Sequence, residues 1–126
     1  MTHINQIIQD ETANLDHDQL GALYAQLGPA GAEDVLRRAM EELALRLSHS
    51  ERLYQQNELP ELRKSAHSLI AIADQIGMSK LAKVAENVSE AVEQGDMVAV
   101  AATLSRLMRV GETSLTAVWD LQDMTV

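Results

Sequence analysis

Few side chains in this sequence are equipped for chemistry. No cysteine occurs in the 126 residues, which excludes disulfides, thiolate catalysis and Cys-based zinc or iron–sulfur sites. Four histidines remain as candidate nucleophiles or ligands: His3, His17, His49 and His67. None has Glu three residues before it, the spacing that aims a carboxylate and an imidazole at one metal inside a helical bundle. H-E-x-x-H, a glycine-rich phosphate loop and a G-x-S-x-G elbow are also missing from the sequence, so neither a resident metal or cofactor nor a self-contained hydrolytic site is expected on this chain.

His67 stands apart because of its surroundings. In the stretch from Glu61 to Gly77, Ala66, Leu69, Ala73 and Ile76 recur at helical spacing and form a seam for burial. That seam throws His67 sideways. Arg63 and Lys64 lie one turn before it on its own face, Ile70 and Ala71 one turn after, and Asp74 two turns after. Ala71 is small and leaves the imidazole open to an approaching partner. Imidazole changes charge between pH 5 and 8, so a neutral ring nitrogen is available as a nucleophile at cell pH. Ile70 has two readings, packing beside the seam or widening an apolar patch around His67; the second is favoured, because a patch with a polar rim marks a docking site. Ser68 and Gln75 are placed to add hydrogen bonds at that rim.

The elements that must hold this imidazole read as helices throughout. Asp16 can cap a first helix, with Gln19 in the N3 place of a capping box and Gly28-Pro29 as its end. The next segment runs from about Ala32 to Gln56, with Leu36, Met40, Leu43, Leu47 and Tyr54 on one stripe. Pro60 suits the first turn of a third helix, which Gly77 closes. A fourth runs from about Ser79 to Gln94, with Leu81, Val84 or Ala85, Val88 and Val92 inward, and Gly95 ends it. Asp96 can cap a fifth, striped by Leu104, Met108, Leu115 and Val118 and weakened by Gly111 at about 1 kcal/mol relative to Ala. Short connections make neighbours antiparallel. The expected fold is all-α: an antiparallel up-down four-helix bundle over about 32–121, with an additional N-terminal helix packed across one end. Residues 1–13 offer only Ile4, Ile7 and Ile8 as anchors and are expected to be a frayed tail of a single domain spanning 1–126.

Composition agrees with this and narrows the partners. Apolar residues make up 46 % and aromatics only 2 %, namely Tyr24, Tyr54 and Trp119. A core of Leu, Val, Ile, Met and Ala suits packed helices, and the lack of aromatics leaves no stacking platform for single-stranded nucleic acid. The net charge is −9. No base precedes Arg37, while Asp10, Glu11, Asp16, Asp18, Glu33 and Asp34 all do; from Arg37 to Arg109 acids and bases balance. A phosphate-neutralising protein shows the opposite bias, so nucleic acid is not an expected partner. The longest apolar run, Met97 to Ala102, is far below the roughly 20 residues that cross a bilayer. No basic and apolar leader opens the chain, and a cytoplasmic location without membrane attachment is expected.

From about Leu15 to Leu121 the chain resembles the histidine-containing phosphotransfer (HPt) domains of two-component phosphorelays. The likeness centres on Ala66-His67-Ser68-Leu69, then Ala73, Ile76 and Gly77, set against the family pattern A-H-x-L-K-G-x-A-x-x-[apolar]-G. Leu59-Pro60-Glu61-Leu62-Arg63 upstream, and Leu81, Ala82, Ala85 and Glu93-Gln94-Gly95-Asp96 downstream, fall where that family has comparable residues. Two positions depart from it: Ile70 stands where the family usually has Lys, and Ala71 where it has Gly. Ala still permits close approach. Ile removes a cation that would bond the phosphoryl group, a place that Arg63 and Lys64 are positioned to fill in part.

The resemblance implies a phosphorelay intermediate. His67 would attack the aspartyl phosphate of a receiver domain, hold the group as phosphohistidine, and pass it to another response-regulator receiver. Arg63, Lys64, Ser68, Ile70, Ala71 and Gln75 would bind the phosphoryl group or the partner. Mg²⁺ and Lys of the receiver would stabilise the transferring charge, and a hybrid or separate histidine kinase would supply the phosphate. Such a chain is an enzyme only loosely, with no turnover alone. A sensor-kinase helix is not matched: Ser68-Leu69-Ile70, without an acidic residue, follows the His, and no nucleotide-binding motif appears. Two other classes stay open at this point, an HPt-like module that sequesters a receiver without transfer, and a purely structural bundle.

Overall fold

In a computed structural model the described residues are 17–125, with side chains described over 18–120; the expected tail at 1–13 and the Asp16 cap lie outside them. Four helices follow one another, α1 (His17–Gln55), α2 (Leu59–Gln75), α3 (Ser79–Gln94) and α4 (Met97–Thr125). Contacts join α1 to α2, α2 to α3, α3 to α4 and α4 back to α1, and among the described residues no diagonal pair is in contact. This is the closed up-down bundle that the periodicities require.

Three short turns make it antiparallel, and all three end their helices in the same way. After α2 the Gly77 N–H donates to the Asp74 carbonyl and the Met78 N–H to the Ala73 carbonyl. Gly95 and Asp96 do the same to Val92 and Ala91 after α3, and Asn57 and Glu58 to Tyr54 and Leu53 after α1. Each is a Schellman closure, which needs a left-handed residue; Gly77 and Gly95 supply it with φ of 77° and 69°, and Asn57 with 59°. Asp96 then caps α4, its Oδ1 accepting from the Ala99 N–H at 3.0 Å.

The expected first and second helices are one interrupted element. Gly28 breaks α1 with φ 76° and ψ 167°, a conformation that L side chains rarely adopt, and Pro29 restarts it. The second arm therefore begins about three residues before the expected Ala32, because a Pro at the first helical position is preorganised rather than disruptive. The arm ahead of Gly28 packs at one end of the bundle: Leu20 is in the core, and the Gln19 side-chain amide donates to the carbonyls of Asp74 and Gln75. Gln19 thus satisfies orphan carbonyls at the end of α2, a tertiary duty that local sequence rules do not assign; the capping box read with Asp16 lies outside the described residues.

The core is aliphatic. Leu36, Leu43, Leu62, Leu69, Ile76, Met78, Leu81 and Leu107 are among its largest fully buried side chains. The expected stripe of α2 is all there, with Ala66, Leu69 and Ala73 at 0 % exposure and Ile76 at 1 %. At about 100° per residue, that places His67 on the opposite, outward face of the helix.

Candidate functional site

α2 positions its side chains on two flanks around His67. Helical projection turns Arg63, Ile70 and Asp74 toward one flank, and Lys64, Ser68, Ala71 and Gln75 toward the other. Contacts identify the first flank as the α3 side. His67, itself exposed, reaches across to α3, where its Nε2 lies 2.7 Å from Ser89 Oγ. One turn earlier Arg63 Nη2 lies 3.5 Å from Glu93 Oε2. These pairs are equidistant from the turn: His67 and Ser89 each stand eleven residues from Met78, Arg63 and Glu93 each fifteen. A tight hairpin brings such residues face to face.

The bond to Ser89 decides what the imidazole can do. Ser89 is only 4 % exposed and sits mid-helix. If its hydroxyl accepts from Nε2–H, the Nδ1 lone pair is left free; if it donates to Nε2, the only unprotonated nitrogen is occupied. Only the first arrangement leaves a nucleophile. A Ser–His pair at this distance also resembles the nucleophile and base of a hydrolase. That reading fails on geometry. The serine is the buried partner, no hydrogen bond orients Nδ1 among the described residues, and backbone N–H groups inside α3 are spent on helix bonds, so no oxyanion site accompanies it. The exposed group is the histidine, and Ser89 orients it.

The remaining predicted residues divide clearly. Arg63 belongs to the His67 rim; its Nε is buried without a hydrogen-bond partner. Lys64 is exposed and lies 3.4 Å from Glu61 on its own helix. Ile70 is half-buried and packed against the core, so part of its surface flanks the seam and the rest borders the His67 face. Ala71 is exposed beside the ring, as its small size requires for access. Ser68 Oγ donates back to the Lys64 carbonyl at 3.3 Å. Gln75 lies about 12 Å farther along the axis, on the α1 side, where it borders a shallow groove with Ile72, Val35 and Arg38. Ser68 and Gln75 are therefore not assembled with His67 and Ser89.

Sequence reasoning gave no role at the site to Ser89 or Glu93. Both belong to the neighbouring helix, and the signal that finds them is their distance from the Gly77 turn rather than any motif. Among the described residues no group of three or more His, Asp or Glu side chains is arranged to hold a metal, and no helix is long and apolar enough to cross a membrane. The chain matches no protein-family profile, no curated protein and no solved structure, so this geometry and the sequence pattern carry the functional reading between them.

Proposed function

We propose that this chain is a histidine phosphotransfer protein, taking a phosphoryl group onto His67 from a receiver-domain aspartate and passing it to a second receiver. The observation that carries the proposal is one exposed imidazole, anchored through Nε2 to a buried serine on a rigid two-helix face. In the first step the unprotonated ring nitrogen forms a bond to phosphorus as the acyl-phosphate P–O bond breaks, and the aspartate leaves as carboxylate. The second step reverses this on another receiver. Little else is required of the bundle, because phosphoryl transfer depends chiefly on positioning and on charge stabilisation that the receiver's Mg²⁺ can provide. The acidic chain, with no membrane-length helix among the described residues, suits a cytoplasmic relay.

A second reading has one observation in its favour. Both cations nearest His67 are already paired, Arg63 with Glu93 and Lys64 with Glu61, which suits a module that docks on a receiver and sequesters it without transfer. Incubation of the full chain with phosphorylated receivers separates the two. Relay predicts acid-labile, base-stable label on wild type and complete loss in His67→Gln, with the unfolding midpoint lowered only slightly, because the exposed ring leaves no cavity and Ser89 loses one hydrogen bond. Receiver binding that survives in His67→Ala, with no label on wild type, would establish sequestration instead.

A further inference from the structure

We propose that the Arg63–Glu93 pair is a charge gate: Glu93 holds Arg63 aside while His67 is bare, and Arg63 changes partner when His67 carries a phosphoryl group. The inference rests on the reading of His67 as a phosphoryl carrier and adds what sets the lifetime of the carried group.

Three features point to it. The resting pair is loose. Arg63 Nη2 and Glu93 Oε2 are 3.5 Å apart, longer than the roughly 2.7–2.9 Å of a charge-assisted bond. The guanidinium is also under-used, since its Nε is buried and has no acceptor, and a buried donor without a partner is unfavourable until an anion reaches it. Finally, the pair is adjacent to the chemistry. Arg63 precedes His67 by four residues, so their side chains are neighbours on the helix surface, and both lean toward α3, where their partners Glu93 and Ser89 are likewise four residues apart.

A phosphoryl group on His67 would place a charge of about −1.5 to −2 within this neighbourhood. It outcompetes a single carboxylate for a planar donor fork suited to bidentate contact with phosphate oxygens. Glu93, 63 % exposed at its side chain, is rehydrated at little cost when released. Arg63 on the phosphate oxygens prolongs the phosphohistidine. Return of Arg63 to Glu93 favours departure of the group to a receiver.

Phosphoramidate tests the gate without any receiver. A ring nitrogen of His67 forms the N–P bond as the P–NH2 bond breaks and the amine leaves as ammonia. The lifetime of the resulting phosphohistidine is followed by ³¹P NMR in the full chain, for wild type and four variants. Glu93→Gln should lengthen it, and Arg63→Ala shorten it, each by about three- to ten-fold, the range of one net hydrogen bond at a site that water partly solvates. Arg63→Lys, which keeps the charge and loses the fork, should fall between wild type and Arg63→Ala. The double variant Arg63→Ala/Glu93→Gln should match Arg63→Ala alone. Equal lifetimes in Glu93→Gln and wild type overturn the gate, as does a Glu93→Gln effect that persists without Arg63, or failure of phosphoramidate to label His67. The relay reading fails separately. Label placed chemically on His67 that exchanges with no receiver would sink it whatever the lifetimes, whereas exchange with unchanged lifetimes would sink the gate alone.

Discussion

Along the α2–α3 seam the aliphatic core is covered at its outer edge by two polar cross-links, Arg63 to Glu93 and His67 to Ser89. The α1–α4 seam is apolar at its centre: a Cβ added at Gly111 would lie 2.5 Å from Leu47 Cδ1, so the glycine lets the helices approach over a buried leucine. The first seam presents reactive and charged groups to solvent; in the second, a methyl group at Gly111 would meet the tip of the Leu47 side chain, beside an open groove lined by Leu47, Met108, Leu115 and Trp119. The contrast separates two kinds of residue. Substitutions at the α2–α3 rim should alter phosphoryl chemistry and leave stability nearly unchanged, and substitutions in the α1–α4 seam should do the reverse.

The largest effect on that contrast belongs to Gly111. Added to an exposed helix interior, a methyl group at glycine stabilises by about 1 kcal/mol. Here the same methyl overpacks against Leu47, at about 1–3 kcal/mol. Gly111→Ala should therefore lose up to about 2 kcal/mol, read as a lower urea midpoint with an unchanged slope, while phosphoramidate labelling of His67 keeps its wild-type rate. Because the clash is with one side chain, Gly111→Ala/Leu47→Ala should cost less than the sum of its parts. A stabilised Gly111→Ala would show that the seam has room and would remove the contrast.

Much of this architecture was legible in the sequence, and the exceptions have physical causes. The α2 stripe and the outward placement of His67 follow from helical periodicity, because a 3.6-residue repeat fixes which face is buried. Gly77 and Gly95 announced their turns; Asn57 did not, although it takes the same left-handed conformation, because asparagine there competes with many other uses of the residue. Gly28-Pro29-Ala30-Gly31 reads as a loop by composition, yet only Gly28 leaves the helix. Local rules assign Gln19 a partner on its own helix, and they do not reveal that its amide reaches the carbonyls at the end of α2. At the candidate site the outward placement of His67 and its nearness to Arg63 were legible, both being on one helix. Ser89 and Glu93 were not, since their role arises only when the hairpin closes.

A smaller effect tests whether polar links inside the bundle differ from those at its rim. Ser50 Oγ donates to the Arg46 carbonyl at 2.7 Å and lies 2.7 Å from Ser65 Oγ. One hydroxyl has one proton, so Ser65 must be the donor between them. Both residues are buried, at 0 % and 3 % exposure. Ser50→Ala strands the Ser65 hydroxyl and should cost about 1–2 kcal/mol, whereas Ser50→Ala/Ser65→Ala removes both partners and should lie within about 0.5 kcal/mol of wild type. Thermal or urea unfolding of the four-member cycle measures the coupling; additive losses would mean that the two hydroxyls act independently.

The smallest change in energy, and the most informative about chemistry, is expected at Ser89. Its hydroxyl is buried against an exposed ring, so Ser89→Ala removes a hydrogen bond but strands no buried donor on the histidine, which water can reach. Stability should move by no more than about 1 kcal/mol. Labelling should slow by several-fold, because the freed ring samples both tautomers and more than one rotamer, and only some of these present a lone pair outward. The linkage isomer gives a readout that a merely structural role would not move. If Ser89 accepts from Nε2–H, the phosphoryl group should enter at Nδ1 in wild type and distribute between the two nitrogens in Ser89→Ala. Exclusive Nε2 linkage in wild type would mean that the ring leaves Ser89 before it reacts. In that case Ser89→Ala should speed labelling rather than slow it, and the sign of the rate change decides whether the buried serine aims the imidazole or restrains it.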